Sequence, residues 1–401
     1  MSTDVHRGLV DVVVDTTAIS ALPSATDPLT YRGYPVRDLA ALRSWEEVAY
    51  LLWHGDLPDA GQLADFRAAE AVRRPLDRDG QELLRTLSAT CHPMDVLRTA
   101  VSYLGAQDPT GDRPDPAANR AKALSLFAKL PTIVALDLRR RRGRDAIWPD
   151  PSLGYAENFF RMSFGDVPSA DVVRAFDTTM TLYAEHSFNT STFTARVITS
   201  TLSDLYSAVT GAIGALKGSL HGGANEAVMD MLLEIADPAR VPAWLDRALA
   251  DKRRIMGFGH RVYRNGDSRV PIMEDALGTL VAAHADGPAR QLAEVYTRLR
   301  TAMLDRTGIH PNLDYPSALA YHLMGFDAAA FTPIFVMSRI TGWTAHIVEQ
   351  ASANVLVRPL SAYTGPRQRP VPPRPPPTFG NSLRRRTPGR PTRDSSATPH
   401  P

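Results

Sequence analysis

The sequence WEEVAYLLWH at residues 45–54 repeats apolar residues every three or four positions, and ADVVRAFDTTMTLYA at residues 170–184 does the same. This spacing gathers the apolar side chains on one face of a helix, which a neighbouring element can bury. The one strongly strand-like run is VDVVV at residues 10–14, which is short enough to be a hairpin or an arm. The pattern therefore predicts an all-α fold.

Length and composition exclude several classes of protein. The chain has 401 residues, of which 44% are hydrophobic, so it can bury a sizeable core and form two or three structural units. Its single cysteine, Cys91, has no partner for an intrachain disulfide. No uninterrupted apolar run reaches the roughly 18 residues of a membrane helix, and the acidic start MSTDVHRGLVDVVVD is unlike a signal peptide. We therefore expect a cytoplasmic protein.

The charge of the chain is divided unevenly. The net charge is +2, yet residues 366–401 carry eight arginines and one acid, Asp394, so the remainder of the chain is mildly acidic. Eleven of the 32 prolines lie in the same stretch, which has few aliphatic residues to bury. Such a composition predicts a disordered tail. The alternative is that Arg384–Arg386 binds nucleic acid or another polyanion, with the helical body as a scaffold.

Three segments place ionisable residues among glycines or prolines. They are GSLHGGANE (218–226), GFGHRVYR (257–264) and HPNLDYPS (310–317). A histidine next to glycine, such as His221 or His260, has no neighbouring side chain to shield it from a ligand. Asp314 has the position of a loop residue near a helix start, where it could act in catalysis or cap the helix.

Competing motifs are incomplete. GFG at 257–259 resembles the opening of a dinucleotide-binding fingerprint, but Val262 stands where the third glycine is required. The sequence has no P-loop, no His-Glu-x-x-His and no paired cysteines. A zinc site would need His186, His221 and His260 to meet in three dimensions, so a metal-dependent hydrolase built on these histidines stays an alternative.

Several separated motifs together resemble the citrate synthase family, and most closely its 2-methylcitrate synthase branch. The principal ones are LYAEHSFNTSTFTARV (182–197), GALKGSLHGGANEAV (214–228), IMGFGHRVYRNGDSR (255–269), HPNLDYPSA (310–318) and FTPIFVMSRITGWTAHIVEQ (331–350). Shorter ones include VDTTAIS (14–20), CHPMDV (91–96) and RPLSAYTGP (358–366). The resemblance runs from about Gly8 to Gly365, and the long tail departs from it.

The resemblance implies a Claisen-type condensation of an acyl-CoA with oxaloacetate, followed by hydrolysis of the CoA adduct. Asp314 would remove the proton α to the thioester, and His221 would stabilise the developing negative charge on the thioester oxygen. His260 would polarise the oxaloacetate carbonyl and protonate the new alkoxide. A weakly acidic α-proton requires such a positioned donor in a water-poor site.

The resemblance also implies the substrate-binding residues. Oxaloacetate carries two carboxylates, which guanidinium groups bind bidentately. Arg269 and Arg339 would fill this role, with Arg358 from the other subunit of a homodimer and a hydrogen bond from His186. Arg264 would contact the phosphates of CoA. The reaction needs no metal and no redox cofactor.

The expected architecture is a citrate synthase-like fold of two helical domains with the active site in the cleft between them. The large domain would comprise residues 1–220 and 319–365, the small domain 221–318, and the tail 366–401. The branch resemblance favours propionyl-CoA as the acyl donor, with acetyl-CoA also used, because one methylene distinguishes the two by only about 1–3 kcal/mol. A plain citrate synthase that prefers acetyl-CoA is the alternative.

Overall fold

Sixteen α-helices account for nearly all of the regular structure in the part of the chain that is described. The computed structural model describes residues 5–9, 12–22, 28–260, 262–263, 266–284 and 287–374. The helices are α1 (Val36–Leu42), α2 (Trp45–His54), α3 (Ala60–Ala71), α4 (Arg78–Thr86), α5 (Pro93–Gln107), α6 (Pro116–Arg141), α7 (Tyr155–Phe164), α8 (Ala170–Tyr183), α9 (Thr190–Ser200), α10 (Leu205–Leu216), α11 (Ala224–Ile235), α12 (Val241–Ala250), α13 (Val270–Ala283), α14 (Pro288–Thr307), α15 (Asp314–Leu323) and α16 (Phe331–Ser352). The predicted all-α class is confirmed.

Helix α2 shows how local sequence determines where a helix begins and ends. Ser44 and Glu47 form a capping box at its start: the Glu47 N–H donates to the Ser44 hydroxyl, and the Ser44 N–H donates to the Glu47 carboxylate. The helix ends at Gly55, whose φ of 95° lies in the left-handed region that favours glycine. The bounds of α2 are those that the apolar spacing predicts.

A small antiparallel sheet precedes the helices. It comprises β1 (Ser20–Ala21), β2 (Thr30–Tyr31) and β3 (Tyr34–Pro35), with Ser20 paired to Tyr31 and Tyr31 to Tyr34. The turn between β2 and β3 has positive φ at both Arg32 and Gly33, as a tight two-residue hairpin requires. The strand expected at residues 10–14 is wrong for 12–14, which form none, and residues 10 and 11 lie outside the described residues.

Helix α16 forms the centre of the core. Its side chains are buried on every face from Phe331 to Ile347, and it packs against α2, α6, α8, α9 and α10. A helix that is apolar all round is stable only when other helices surround it. Arg339 and His346 are buried among these apolar residues, so α16 carries polar groups into the interior.

All sixteen helices lie in one compact unit, Val13–Arg358. Its division into a large and a small domain stays a prediction. The second unit comprises Met1–Val12 and Pro359–Pro401; among its described residues, Arg7–Leu9 form a short 3-10 helix and 359–374 are exposed without helix or strand. The rest of the predicted disordered tail, 375–401, lies outside the described residues.

Among the described residues, no single helix is long and apolar enough to span a membrane. In the described part of the chain, α15 taken together with Ala328–Ser352 has the length and composition of a membrane span, but this pair is bent by 118°.

Candidate active site

Loops from distant parts of the chain meet at the candidate site, and two of them are joined by backbone hydrogen bonds. The Gly259 N–H donates to the His310 carbonyl at 2.8 Å, and the Asn312 N–H donates to the Gly257 carbonyl at 2.9 Å. Gly257 has a φ of 83°, and a Cβ at this position would overlap neighbouring side chains. Only glycine allows so close an approach. The loop of His260 is thereby fixed beside the start of α15.

Asp314 is the first residue of α15, and the N-cap of that helix is Leu313, so the interpretation of Asp314 as a helix cap is wrong. Instead, the Tyr183 hydroxyl at the end of α8 donates to Oδ1 of Asp314 at 2.7 Å. Loss of hydration raises the pKa of Asp314 to about 6, and the hydrogen bond from Tyr183 opposes that rise. A carboxyl group with such a pKa suits a general base near neutral pH.

His221 lies in the loop between α10 and α11 and is oriented by Ser191, at the start of α9. The Ser191 backbone N–H donates to Nε2 of His221 at 3.3 Å, and the Ser191 hydroxyl is 2.8 Å from the same nitrogen. The Trp343 indole N–H donates to that hydroxyl at 3.0 Å. Since Nε2 accepts, the proton of the neutral ring is on Nδ1. Dehydration and the charge of Arg339 lower the pKa of His221 to about 3, so the ring is a neutral donor.

His260 has the opposite tautomer. Its Nδ1 accepts the backbone N–H groups of Val262 (3.0 Å) and Tyr263 (3.4 Å), which places the proton on Nε2. Dehydration and the nearby Arg269 lower the pKa of His260 to about 4. His260 therefore also presents a neutral N–H donor near neutral pH.

His186 adjoins His260. Their ring centroids are 5.2 Å apart, and Nε2 of His186 is hydrogen-bonded to the Tyr263 hydroxyl at 3.0 Å. Dehydration, together with the positive charge of Arg269, lowers the pKa of His186 well below its usual range. Three neutral imidazoles thus contribute to the site without adding charge.

Arg269 is held by a buried ion pair. Its Nε and Nη2 donate to the two carboxylate oxygens of Asp267 at 3.0 and 2.7 Å. The Leu313 N–H also donates to Asp267 at 3.3 Å, so the carboxylate of Asp267 links Arg269 to the residue preceding Asp314. This bidentate pair fixes the plane of the guanidinium group.

Arg339 is the second buried guanidinium. Its Nε donates to the Tyr183 carbonyl at 2.6 Å, and its guanidinium carbon is 4.8 Å from the Phe335 ring centroid. Among the described residues, no acceptor contacts Nη1 or Nη2. Dehydration lowers the pKa of Arg339 to about 10, so the group stays charged at neutral pH. A buried cation with free donors is a binding group for a carboxylate.

The structure thus gathers six of the eight predicted site residues. They are His186, His221, His260, Arg269, Asp314 and Arg339. Arg358 is exposed and follows the last helix, and Arg264 lies outside the described residues. The roles of both stay predictions.

The predicted site residues do not include the side chains that hold them in place, chiefly Tyr183, Ser191 and Asp267. Each of these lies inside a motif that contains a predicted site residue, which is the available signal in the sequence. The spacing of Tyr183 instead assigns it to the apolar stripe of α8, because a helical tyrosine at that spacing is usually a core residue. Its hydroxyl meets Asp314 only through the tertiary fold.

Within the described ranges, no group of three or more His, Cys, Asp or Glu side chains could hold a metal ion. The polar groups that meet here instead combine two arginines, three neutral imidazoles, the Asp267 carboxylate paired with Arg269, and Asp314, a carboxyl group of raised pKa. This set can bind a dicarboxylate, remove a weakly acidic proton and donate hydrogen bonds to developing oxyanions.

Comparison with known proteins places these residues in a family context. A family model described as "Citrate synthase, C-terminal domain" matches residues 8–360. A "2-methylcitrate synthase" of Mycobacterium tuberculosis is 61% identical over 92% of this chain and 93% of that protein. A "Citrate synthase" of Mycolicibacterium smegmatis is 60% identical over 91% and 96%. The citrate synthase of Thermoplasma acidophilum, solved as a ternary complex with carboxymethyl coenzyme A and oxaloacetate, has a TM-score of 0.87 at 32% identity, covering 92% of this chain and 98% of that one.

Proposed function

Because the chain belongs to the citrate synthase family and is an acyltransferase of the condensing type, we propose that it joins propionyl-CoA to oxaloacetate and hydrolyses the adduct to 2-methylcitrate and CoA. Acetyl-CoA would react in the same way to give citrate. The observation that supports the chemistry best is that a carboxyl group of raised pKa, Asp314, and a neutral N–H donor, His221, both lie where the charge of Arg339 lowers their pKa.

Oxaloacetate would bind first. Its two carboxylates would take the remaining donors of Arg269 and the free Nη groups of Arg339, with a hydrogen bond from His186. The two guanidinium groups lie in a dehydrated setting where charge interactions are strong. His260 would then donate its Nε2 proton to the ketone oxygen, which makes the ketone carbon more electrophilic.

Carbon–carbon bond formation would follow when the thioester binds. Asp314 would take the α-proton, while Nδ1–H of His221 donates a hydrogen bond to the thioester oxygen and stabilises the enolate. The enolate carbon would attack the ketone carbon, and the alkoxide so formed would take the Nε2 proton of His260. Water would then add to the thioester carbon and break the C–S bond. Its oxygen completes the new carboxylate, one of its protons goes to the departing CoA thiolate and the other restores His260, while Asp314 returns the α-proton to solvent.

The titration of Asp314 predicts the pH dependence of the reaction. A carboxyl group whose pKa is raised to about 6 is ionised above that pH and loses its basicity as the pH falls through it. We expect kcat/KM to be flat from about pH 7 to 8 and to fall about tenfold per pH unit below 6. His221 and His260 do not change the pH dependence of kcat/KM in this range, because their pKa values lie at about 3 and 4. Kinetics from pH 5 to 8.5 would test this, and a decline that begins near pH 7.5 would contradict it.

The choice of propionyl-CoA rests on the branch resemblance of the sequence and on mycobacterial and corynebacterial relatives named 2-methylcitrate synthase. A relative of nearly the same identity is named citrate synthase, so a plain citrate synthase is the alternative. The two acyl groups differ by one methylene, which an apolar pocket distinguishes only weakly. Activity with both thioesters therefore follows from the chemistry.

The remaining sequence predictions belong to the same proposal. The protein would act in the cytoplasm as a homodimer in which Arg358 completes the neighbouring active site, and Arg264 would contact the phosphates of CoA. Closure of a small domain, 221–318, over the large one would bring His260 and Asp314 to the bound substrate and exclude water.

Product analysis tests the proposal. Purified protein is incubated with oxaloacetate and either thioester, with and without a chelator, and the acids formed are identified by mass spectrometry. We expect 2-methylcitrate from propionyl-CoA, citrate from acetyl-CoA, one CoA per product and no effect of the chelator. Release of CoA without a tricarboxylic product would show a thioesterase instead, and chelator-sensitive turnover would favour a metal-dependent hydrolase.

A further inference from the structure

The motif CHPMDV (91–96) begins just before α5 and ends in its first turn, and it has no part in the chemistry described above. Two of its side chains, His92 and Asp95, contact the chain on either side of His221. Both contacts join segments more than a hundred residues apart in sequence. The motif therefore bears on the loop that carries His221.

One contact lies before the loop. Lys217 ends α10 as its C-cap residue, and its Nζ donates to both carboxylate oxygens of Asp95 at 2.7 Å. The hydrogen bond from Lys217 lowers the pKa of Asp95. Asp95 also pairs with Arg98 on its own helix at 2.9 Å. Asp95 thus has one partner that leads to the His221 loop and one that does not.

The other contact lies after the loop. Nδ1 of His92 accepts the Met94 N–H at 3.2 Å, so Nε2 carries the proton and donates to Glu226 on α11 at 3.3 Å. The Thr332 hydroxyl, at the start of α16, donates to the same carboxylate and is 3.3 Å from the Gly222 carbonyl. Glu226 is therefore anchored to α5 and α16 together.

Between these contacts the loop has little packing of its own. Gly218, Ser219 and Leu220 are exposed, and the Leu220 side chain is 81% accessible to solvent. Within the loop, the His221 N–H donates to the Gly218 carbonyl at 2.8 Å. Besides the hydrogen bonds between Ser191 and the His221 ring, the position of so short and exposed a loop depends on the residues that fix its ends.

We propose that His92 and Asp95 are positioning residues that clamp the His221 loop, through Glu226 and Lys217, so that the histidine faces the thioester. This inference rests on the proposed function, because the importance of His221 follows from it. The Thr332 hydroxyl is part of the same clamp, since it bonds to Glu226 and adjoins the Gly222 carbonyl. Oxaloacetate binding does not depend on the clamp, because Arg269 and Arg339 are held by other contacts.

The test compares variants that remove one clamp contact with matched controls. Lys217→Met removes the ion pair to Asp95, Lys217→Arg keeps it, and Arg98→Met removes the other partner of Asp95 without touching the loop. Thr332→Val removes the hydroxyl from the second contact, and Thr332→Ser retains it. For each protein, kcat with propionyl-CoA, the Kd for oxaloacetate and the melting temperature are measured. The ring nitrogens of His221 are followed by NMR of ¹⁵N-histidine-labelled protein, assigned with His221→Gln.

We expect Lys217→Met and Thr332→Val each to lower kcat about tenfold, as small displacements of a reacting group do. The Kd for oxaloacetate would change less than twofold, and the His221 signals would shift. Lys217→Arg, Thr332→Ser and Arg98→Met would stay close to the wild type.

Equal kcat and unchanged His221 signals in Lys217→Met and Arg98→Met would overturn the clamp. If the wild type released no CoA from either thioester, the proposed function would be refuted. The NMR signals of His221 would then test the clamp alone: a shift in Lys217→Met and Thr332→Val but not in Arg98→Met would support it, and unchanged signals would contradict it.

Discussion

Replacement of Asp314 by asparagine is expected to lower kcat by roughly 10³-fold, within the range that general acid–base catalysis contributes. The amide has the shape of the carboxyl group and can still accept the hydrogen bond of the Tyr183 hydroxyl, so the start of α15 keeps its geometry. What the variant loses is the ability to take a proton. The neighbouring Asp267 is not free to replace it, because Arg269 and the Leu313 N–H engage its carboxylate.

The control for Asp314→Asn is the affinity for oxaloacetate, measured by calorimetry in the absence of thioester. The Kd should remain within about threefold of the wild type, because Arg269 and Arg339, the arginines proposed to bind oxaloacetate, are unchanged. The exchange of the α-protons of propionyl-CoA with deuterium oxide, followed by NMR, should cease in the variant. Turnover near the wild-type level would show that Asp314 is not the base.

Replacement of Arg339 by glutamine is expected to raise the Kd for oxaloacetate by about 100-fold, as the loss of one member of a buried charge pair does. Arg339 is 2% exposed. No acceptor among the described residues contacts its Nη groups, so they can bind a carboxylate of the substrate. The uncharged amide can neither balance the dianion nor donate in bidentate fashion. The Kd can be measured by calorimetry at constant ionic strength.

Arg339→Lys is the intermediate control, because it keeps the positive charge but cannot donate two parallel hydrogen bonds to a carboxylate. It should bind oxaloacetate with an affinity between those of the wild type and Arg339→Gln. A Kd in Arg339→Gln within threefold of the wild type would show that the oxaloacetate carboxylate lies elsewhere. A large loss of kcat at saturating oxaloacetate with an unchanged Kd would point instead to a role in the transition state.

Part of the fold follows from local sequence rules. Helix α2 has the predicted bounds because its capping box and its apolar stripe agree, and α8 differs from prediction by one residue at its end. The sheet near the start differs more: residues 10–14 have strand-like composition, yet the strands form where Arg32 and Gly33 adopt a tight turn. Turn geometry outweighed β-propensity there.

The candidate site divides in the same way. His221, His260 and Asp314 could be identified as candidate site residues, because ionisable residues lie there among glycines and prolines that interrupt the helical pattern. Tyr183 could not, because its hydroxyl serves Asp314 across 131 residues while its ring satisfies the pattern of a buried helix face. The tautomers of His221 and His260 depend on which backbone N–H groups reach each ring, and only the folded chain defines these.

The most direct test of the central claim is the release of CoA from purified protein with saturating oxaloacetate, compared for propionyl-CoA and acetyl-CoA as kcat/KM. The account predicts turnover of both thioesters with the higher kcat/KM for propionyl-CoA. A clear preference for acetyl-CoA would contradict the assignment of the acyl donor and make the protein a citrate synthase. No CoA release with either thioester would contradict the condensation itself.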